Sequence, residues 1–363
     1  MSILEREDQL QPACAAQALF PEQTAQTTTE ASPVEIAQPR GLFIIAAGLI
    51  VLGSICLAVR YLYPFDFISD SSHGWFLDRL IPRAKTLVSG WSLEMMIAFP
   101  FGLLGVFLLE RFFPAVPAQK TVTTGLVNDA LWILVRAVAQ IILFAAYSRI
   151  LYRLYVQYLS GFSIPLAELL PIPVSLVLAV LVADLAQWLQ HWLHHKVKWL
   201  WMFHAVHHSQ RELNVFSDYR GHFMEYVVRR PVVLMPLLML GLEEPQMTWW
   251  ILLITWQTRL NHANVRFNFG PLRYIFVTPQ SHRVHHSLQA EHIDHNYGSI
   301  FSIWDYLFGT QVRNYDVYPE TGIDDEAFPV ESSKSVKGVL ITIVRQIAYP
   351  FRQVWLTLWP GRS

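Results

Sequence analysis

Long apolar runs separated by short polar stretches dominate this chain, and the length of each run decides how it can be used. Residues 41–59 (GLFIIAAGLIVLGSICLAV) form an apolar run without a charge. A helix needs about 20 such residues to cross roughly 30 Å of hydrocarbon, so this run predicts a membrane span. A second run covers 93–113, with Glu94 and Arg111 near its ends, and a third covers 130–150 with Arg136 inside it. The fourth, 171–189, gives way to polar and aromatic residues (Asp184, Gln187, Trp188, Gln190) just before His191, so its helix should run out of the membrane there. Runs 231–242 and 247–256 flank Glu243-Glu244-Pro245 and are too short to span singly, which predicts a re-entrant or buried hairpin. Residues 339–359, interrupted by Arg345, Pro350 and Arg352, read as an interfacial helix.

Composition supports a membrane setting: 53% of the 363 residues are hydrophobic and 15% charged, against about 25% charged in soluble domains. Residues 1–40 are rich in Gln, Thr, Ala and Pro, lack the basic start of a signal peptide, and are expected to be a disordered tail. A net charge of -1 offers no basic face for nucleic acid. Cys14 and Cys56 make neither a disulfide framework nor a thiolate metal site. Orientation is less direct. Four spans with the tail inside would put the region after residue 190 in the cytoplasm, yet Arg60, Arg79, Arg83 and Lys85 outweigh Arg6 and Arg40 and favour the first loop inside. An odd number of spans before His191 reconciles the two, and the Arg136 segment is the one to demote.

Histidine supplies the chemistry. Thirteen of the 14 histidines lie from His191 to His295. Eight form three groups: His191/His195, His204/His207/His208 and His282/His285/His286, with His262 between the last two. Spacings of three and four place such residues on one helix face, so each group can point into one cavity. These nine candidate ligands overfill a single tetrahedral site, which takes about four, and suit a binuclear one. No glutamate lies inside the groups, unlike carboxylate di-iron bundles, and there is no His-Glu-x-x-His run for a zinc protease. Neutral imidazoles suit iron, copper, nickel or zinc. Asp184 lies seven residues before His191, two turns away on the same face, and is expected to orient that ligand through its other ring nitrogen. His222, Asp294 and Asn296 are further candidates for supporting the ligands, while His194, His292 and His295 fall outside the ligand pattern and His73 is incidental.

The runs His191-Trp-Leu-His-His195, His204-Ala-Val-His-His208 and Ser281-His282-Arg-Val-His-His286 resemble the three histidine boxes of the sterol desaturase and fatty acid hydroxylase superfamily. Asp184 and Trp188 ahead of the first box, Arg220-Gly-His222, Asn261-His262-Ala-Asn264, Asn296-Tyr-Gly298, Trp304-Asp305 and Phe308-Gly-Thr310 are similar as well, so the resemblance runs from about residue 172 to 310. His194 inside the first box, Ser217 and Phe223 depart from the usual pattern. The resemblance implies two iron ions that bind O2, electrons from a separate donor of cytochrome or ferredoxin type, and hydroxylation or desaturation of a membrane lipid. The competing reading is a membrane metal-handling or structural-metal protein.

The expected architecture is an all-α integral membrane bundle of about four transmembrane helices with a histidine-rich helical cap around a binuclear metal site facing the cytoplasm. Its expected organisation is a tail (1–40), an N-terminal transmembrane region (41–170), the oxygenase domain (171–312) and a C-terminal segment with the interfacial helix (313–363).

Overall fold

The structure, a computed structural model, describes residues 93–359 except 121, 140–144, 165, 242–253 and 332–334. Among the described residues there is no β-strand, only isolated bridges such as Pro114 with Val265 and Phe276 with Phe301. Besides a short turn of helix at Leu166–Leu169, the described α-helices are α1 (Leu93–Phe112), α2 (Thr124–Ala139), α3 (Ala145–Leu154), α4 (Ile172–Lys196), α5 (Lys198–His208), α6 (Glu225–Met239), α7 (254–262), α8 (Pro279–His285), α9 (Ile303–Leu307) and α10 (Val336–Leu358).

Helix α4 organises the site. It begins after Pro171, with another proline in its first turn, where a missing N–H costs nothing. Ala179, Ala183 and Ala186 recur at helical spacing on its buried side. Without long side chains, that face lets α6 pack close, and Val233 and Leu237 of α6, Ile254 of α7 and Ile300 complete this core. Other positions on α4, including Ile172, Val174 and Val177, are exposed, as are Phe101, Leu104, Leu108 and Phe112 on α1. Only Val197 separates α4 from α5. Its extended backbone, φ -97° and ψ 110°, breaks the ladder for one residue and turns α5 back across the end of α4.

A second core joins α2, α5, the 213–219 loop and α10 through Leu126, Leu131, Trp132, Val206, Val215, Phe216, Val339 and Ile343. Buried polar groups tie the same elements together. Trp132 Nε1 and Asn128 Nδ2 both donate to Gln346 Oε1 at 3.1 Å. Arg220 Nε donates to Asp129 at 2.6 Å and its Nη1 to Glu331 at 2.5 Å, and Asp129 also accepts from Asn214 (2.8 Å) and Ser217 (2.9 Å).

Among the described residues one helix, Ile172–Lys196, is long and apolar enough to cross a membrane; the expected span at 41–59 lies outside the described residues, and the expected number of about four spans is not established by them. Of the 130–150 run, the described first part belongs to α2, which starts at Thr124 and buries Asn128, Asp129 and Trp132 against the cap, and the described last part belongs to α3, from Ala145. Arg136 has a polar partner in Asp218, 3.8 Å away, and lies over the rings of Tyr219 and Tyr226. A charge with such a setting fits a helix laid on the cap better than one immersed in lipid. The 339–359 stretch is one helix, α10, whose Val339, Ile343, Gln346 and Tyr349 face inward while Leu340, Ile341, Val344 and Trp355 stay exposed. The proposed hairpin is described only in part: its first arm is the end of α6, and 242–253 lie outside the described residues.

Candidate metal centre

The nine histidines singled out from the sequence come together in two adjoining groups. His191, His195, His204, His208 and His285 form one; His207, His262, His282 and His286 form the other, and within each group the candidate donor atoms lie within 4.8 Å of one another. The groups touch through the stacked rings of His208 and His286, with centroids 4.3 Å apart.

Helix geometry explains how neighbours in one box reach different pockets. Residues i and i+4 differ by about 40° around an α-helix, whereas i+3 points about 60° to the other side. His191/His195 and His204/His208 are i,i+4 pairs in the five-histidine pocket, and His282/His286 is the i,i+4 pair of the four-histidine pocket. The i+3 residues, His207 and His285, cross over to the other pocket. A capping box fixes the start of α8: Thr278 Oγ1 accepts from the Ser281 amide (3.0 Å), the Thr278 amide donates to Ser281 Oγ (2.9 Å), and Pro279 occupies the first turn.

Hydrogen bonds on the outer ring nitrogens set the tautomers. The Nδ1–H groups donate from His191 to the Tyr297 carbonyl (2.8 Å), His207 to the Arg220 carbonyl (2.8 Å), His262 to the Thr258 carbonyl (2.7 Å) and His285 to the His295 carbonyl (2.7 Å). His204 Nδ1–H donates to the Glu225 carboxylate at 2.8 Å. A neutral imidazole has one N–H, so each Nε2 of these rings carries a lone pair into the cavity.

These inward nitrogens fit a metal. His191 Nε2 lies 3.1 Å from His204 Nε2, and His207 Nε2 lies 3.1 Å from His262 Nε2. With both members of each pair already donating outward, neither contact is a hydrogen bond; two lone pairs at that distance call for a cation between them. Two nitrogens each about 2.1 Å from an ion are separated by about 3.0 Å at a right angle and about 3.4 Å at a tetrahedral angle. The remaining close pairs, His195–His208, His204–His208, His262–His282 and His282–His286, span 3.0–3.2 Å.

Burial keeps the rings neutral, which is the form that can ligate a metal. Loss of water pushes His207 down to about 4 and His285 down to about 3, and neighbouring imidazoles add to the effect; His204, His208, His282 and His286 are also held well below the usual range by burial. The folded chain therefore binds fewer protons than the unfolded chain once pH falls below about 6.5, so stability drops as pH falls. We expect the thermal midpoint of metal-free protein to decline steadily from pH 6.5 to about 4, with bound metal released over the same range. A flat profile in a pH series of unfolding curves would count against neutral buried rings.

The supporting residues require corrections. Asp184 does not orient His191. Its carboxylate accepts from the Ile300 and Phe301 amides (3.0 Å each) and Trp304 Nε1 (2.9 Å), so it holds the chain beyond the ligand. Helix packing sets those groups nearer to Asp184 than the ring two turns on. His222 touches none of the nine rings: its Nε2 meets the Ile347 carbonyl at 3.1 Å and its ring stacks on Phe223. Asn296 braces backbone, donating to the Ser281 carbonyl (2.9 Å) and accepting from the Val312 amide (2.8 Å). Asp294 does stand beside a ring, 3.5 Å from His195 Nδ1, and is paired with Lys196 at 2.6 Å. His194 is buried beside His204, with its Nδ1 on the Gln190 carbonyl (2.6 Å) and outside both groups.

Sequence reasoning missed two carboxylates. Asp305 accepts from Trp188 Nε1 (2.9 Å), the Tyr297 amide (2.9 Å), the Gly298 amide (2.8 Å) and Thr310 (2.6 Å), and so fixes the peptide whose carbonyl aims His191. The Trp-Asp pair at 304–305 was visible in the sequence, but its role was not; Trp188, which could have been an interfacial anchor, is buried on this carboxylate. Glu225, 21 residues beyond His204, carried no motif at all. Gly298 is required by close approach: a Cβ there would sit 2.8 Å from the Phe301 carbonyl oxygen and 2.9 Å from Asp305. Gly298→Ala should cost about 1–3 kcal/mol of stability, measured by thermal unfolding, and an unchanged midpoint would show that the loop yields freely.

The fatty acid hydroxylase family model matches residues 176–310, which include all nine histidines. The chain is 36% identical over 140 residues to the ornithine lipid hydroxylase OlsE of Rhizobium tropici, covering 39% of this chain and 42% of that protein. It is 28% identical over 194 residues to alkylglycerol monooxygenase of Homo sapiens (50% of this chain, 38% of that protein). It is 24% identical over 203 residues to very-long-chain aldehyde decarbonylase CER1 of Arabidopsis thaliana (50% and 32%). The alignments thus span less than half the length of these relatives. No solved structure matches the chain. The histidine-bearing region is thus similar to the fatty acid hydroxylase family, in keeping with the resemblance carried by its three boxes.

Proposed function

We propose that this protein is an oxidoreductase of the membrane that uses O2 to oxidise a C–H bond of a lipid at an all-histidine di-iron centre. The observation that carries the proposal is the pair of adjoining nitrogen pockets at the end of the apolar helix α4. The His191–His204 and His207–His262 pairs, with lone pairs facing each other, support two bound cations. The family match and the lipid-oxidising relatives favour iron over zinc.

His191, His195, His204, His208 and His285 would hold one iron and His207, His262, His282 and His286 the other. When bound, the iron pair would supply reductive activation of O2. The chain itself aims the rings through fixed Nδ1–H donors and keeps the donor nitrogens away from water, which protects a reactive site from side reactions. For hydroxylation the balance is lipid C–H plus O2, two electrons and two protons giving lipid C–OH and water. For desaturation, two adjacent C–H bonds, O2, two electrons and two protons give C=C and two waters. The electrons come from a separate cytochrome- or ferredoxin-type donor, with the site facing the cytoplasm of a multi-pass protein. The relatives act on an ornithine lipid and on alkylglycerols, which makes a lipid with a polar head and long chains the proposed substrate class.

Lipid mass spectrometry of strains lacking and overexpressing the protein tests this. The expected result is a lipid series shifted by one added oxygen or two lost hydrogens that tracks expression. Unchanged lipids in both strains, together with no O2 consumption by purified protein given reductant and lipid extract, would overturn the reading.

A further inference from the structure

The two histidine pockets differ in what stands behind the rings. In the five-histidine pocket, His204 Nδ1–H donates to Glu225 Oε2 at 2.8 Å, and Asp294 lies 3.5 Å from His195 Nδ1. Glu225 is itself held, since its other oxygen accepts from the His222 amide at 3.0 Å. It is also set in the first turn of α6, where the helix dipole favours a negative charge. In the four-histidine pocket, His207 and His262 donate to neutral backbone carbonyls, and the buried Nδ1 atoms of His282 and His286 have no hydrogen-bond partner. Among the described residues the direct carboxylate contacts on these nine rings are on one side, while Asp218 and Glu225 act on His207, and Asp218 on His262, only by attraction over a longer range.

A carboxylate behind a ligating imidazole fixes its orientation and makes it a better donor, and loss of such a partner costs about 10–100-fold in metal affinity. Lys196, 2.6 Å from Asp294, offsets part of that charge, which leaves Glu225 as the stronger of the two supports. We infer that Glu225 is a positioning residue that, with a smaller contribution from Asp294, makes the five-histidine pocket the tighter metal site and the first to fill. The inference rests on the binuclear reading above, though not on any particular reaction. It also predicts a centre whose two metal sites are chemically distinct.

The test is a titration of the full-length, metal-stripped protein in detergent with Co2+, followed by its visible absorption, in the wild type and in Glu225→Gln and Asp294→Asn. The wild type should bind two Co2+ in two resolved steps. Glu225→Gln should weaken the first step about 10–100-fold, leave the second within about threefold, and shift the first-step spectrum. Asp294→Asn should move the same step by less. His282→Ala should remove the second step and leave the first. Equal losses in both steps, or a loss confined to the second, would overturn the inference while leaving the binuclear reading intact; fewer than two Co2+ bound by the wild type would overturn both. Glu225→Gln keeps an oxygen acceptor for the His204 ring. If that variant fails to fold, Asp294→Asn and His282→Ala decide the question from the other walls.

Discussion

Replacing Arg220 by methionine should cost about 3–5 kcal/mol of folding stability, the range found when one partner of a buried ion pair is removed. The guanidinium is 1% exposed and lies on Asp129 and Glu331, which are 0% and 11% exposed, so its loss leaves two carboxylates without their cation in a dry interior. The damage should also reach the metal centre, because the Arg220 carbonyl accepts the Nδ1–H of His207 and loop 209–220 is anchored through the same residue by Ser209 at 3.2 Å. Thermal unfolding and metal content of the purified variant check both consequences. Adding Asp129→Asn and Glu331→Gln to the variant should recover much of the stability, since the uncompensated charges are then gone. No recovery would mean that packing of the long side chain, rather than its charge, carries the cost.

Replacing His282 by alanine should produce the largest functional loss. His282 sits between His262 and His286, with Nε2 separations of 3.0 and 3.2 Å, so its removal opens the four-histidine pocket at its middle. Metal content should fall from about two ions per chain toward one, and lipid oxidation should fall by more than the roughly 10–100-fold that loss of an outer support costs. Elemental analysis with product quantification in a deletion strain checks this. Full activity in the variant would remove His282 from the centre. The contrast with His194→Ala is informative: His194 is buried near the cluster but belongs to neither group.

Legibility differed between the site and its surroundings for physical reasons. The boxes were readable because helical periodicity is local: spacings of three and four put side chains on one face wherever the helix ends up. The carboxylate partners were not readable in that way. Glu225 meets His204 because α6 packs against α5 as well as α4, and Asp305 meets Trp188 across 117 positions of sequence. Asp184 shows the opposite failure. Its position on the helix made it a reasonable partner for His191, but the 300–304 backbone comes closer and takes the carboxylate. Similarly, length and apolarity placed a helix near residue 130, while the polar side chains that turn that helix toward the cap needed Gln346 and Glu331 from the far end of the chain to be recognised.

Residue type and spacing are local properties, and they are enough to mark nine clustered histidines as an all-nitrogen donor set at the end of an apolar run. Tertiary packing makes two decisions: it divides the nine into five and four, with His207 and His285 crossing between boxes, and it sets Glu225 and Asp294 directly behind rings of the five-histidine pocket. Each decision depends on how α4, α5, α6 and α8 are rotated against one another. That rotation is set by packing between residues far apart in the chain, which no local pattern encodes.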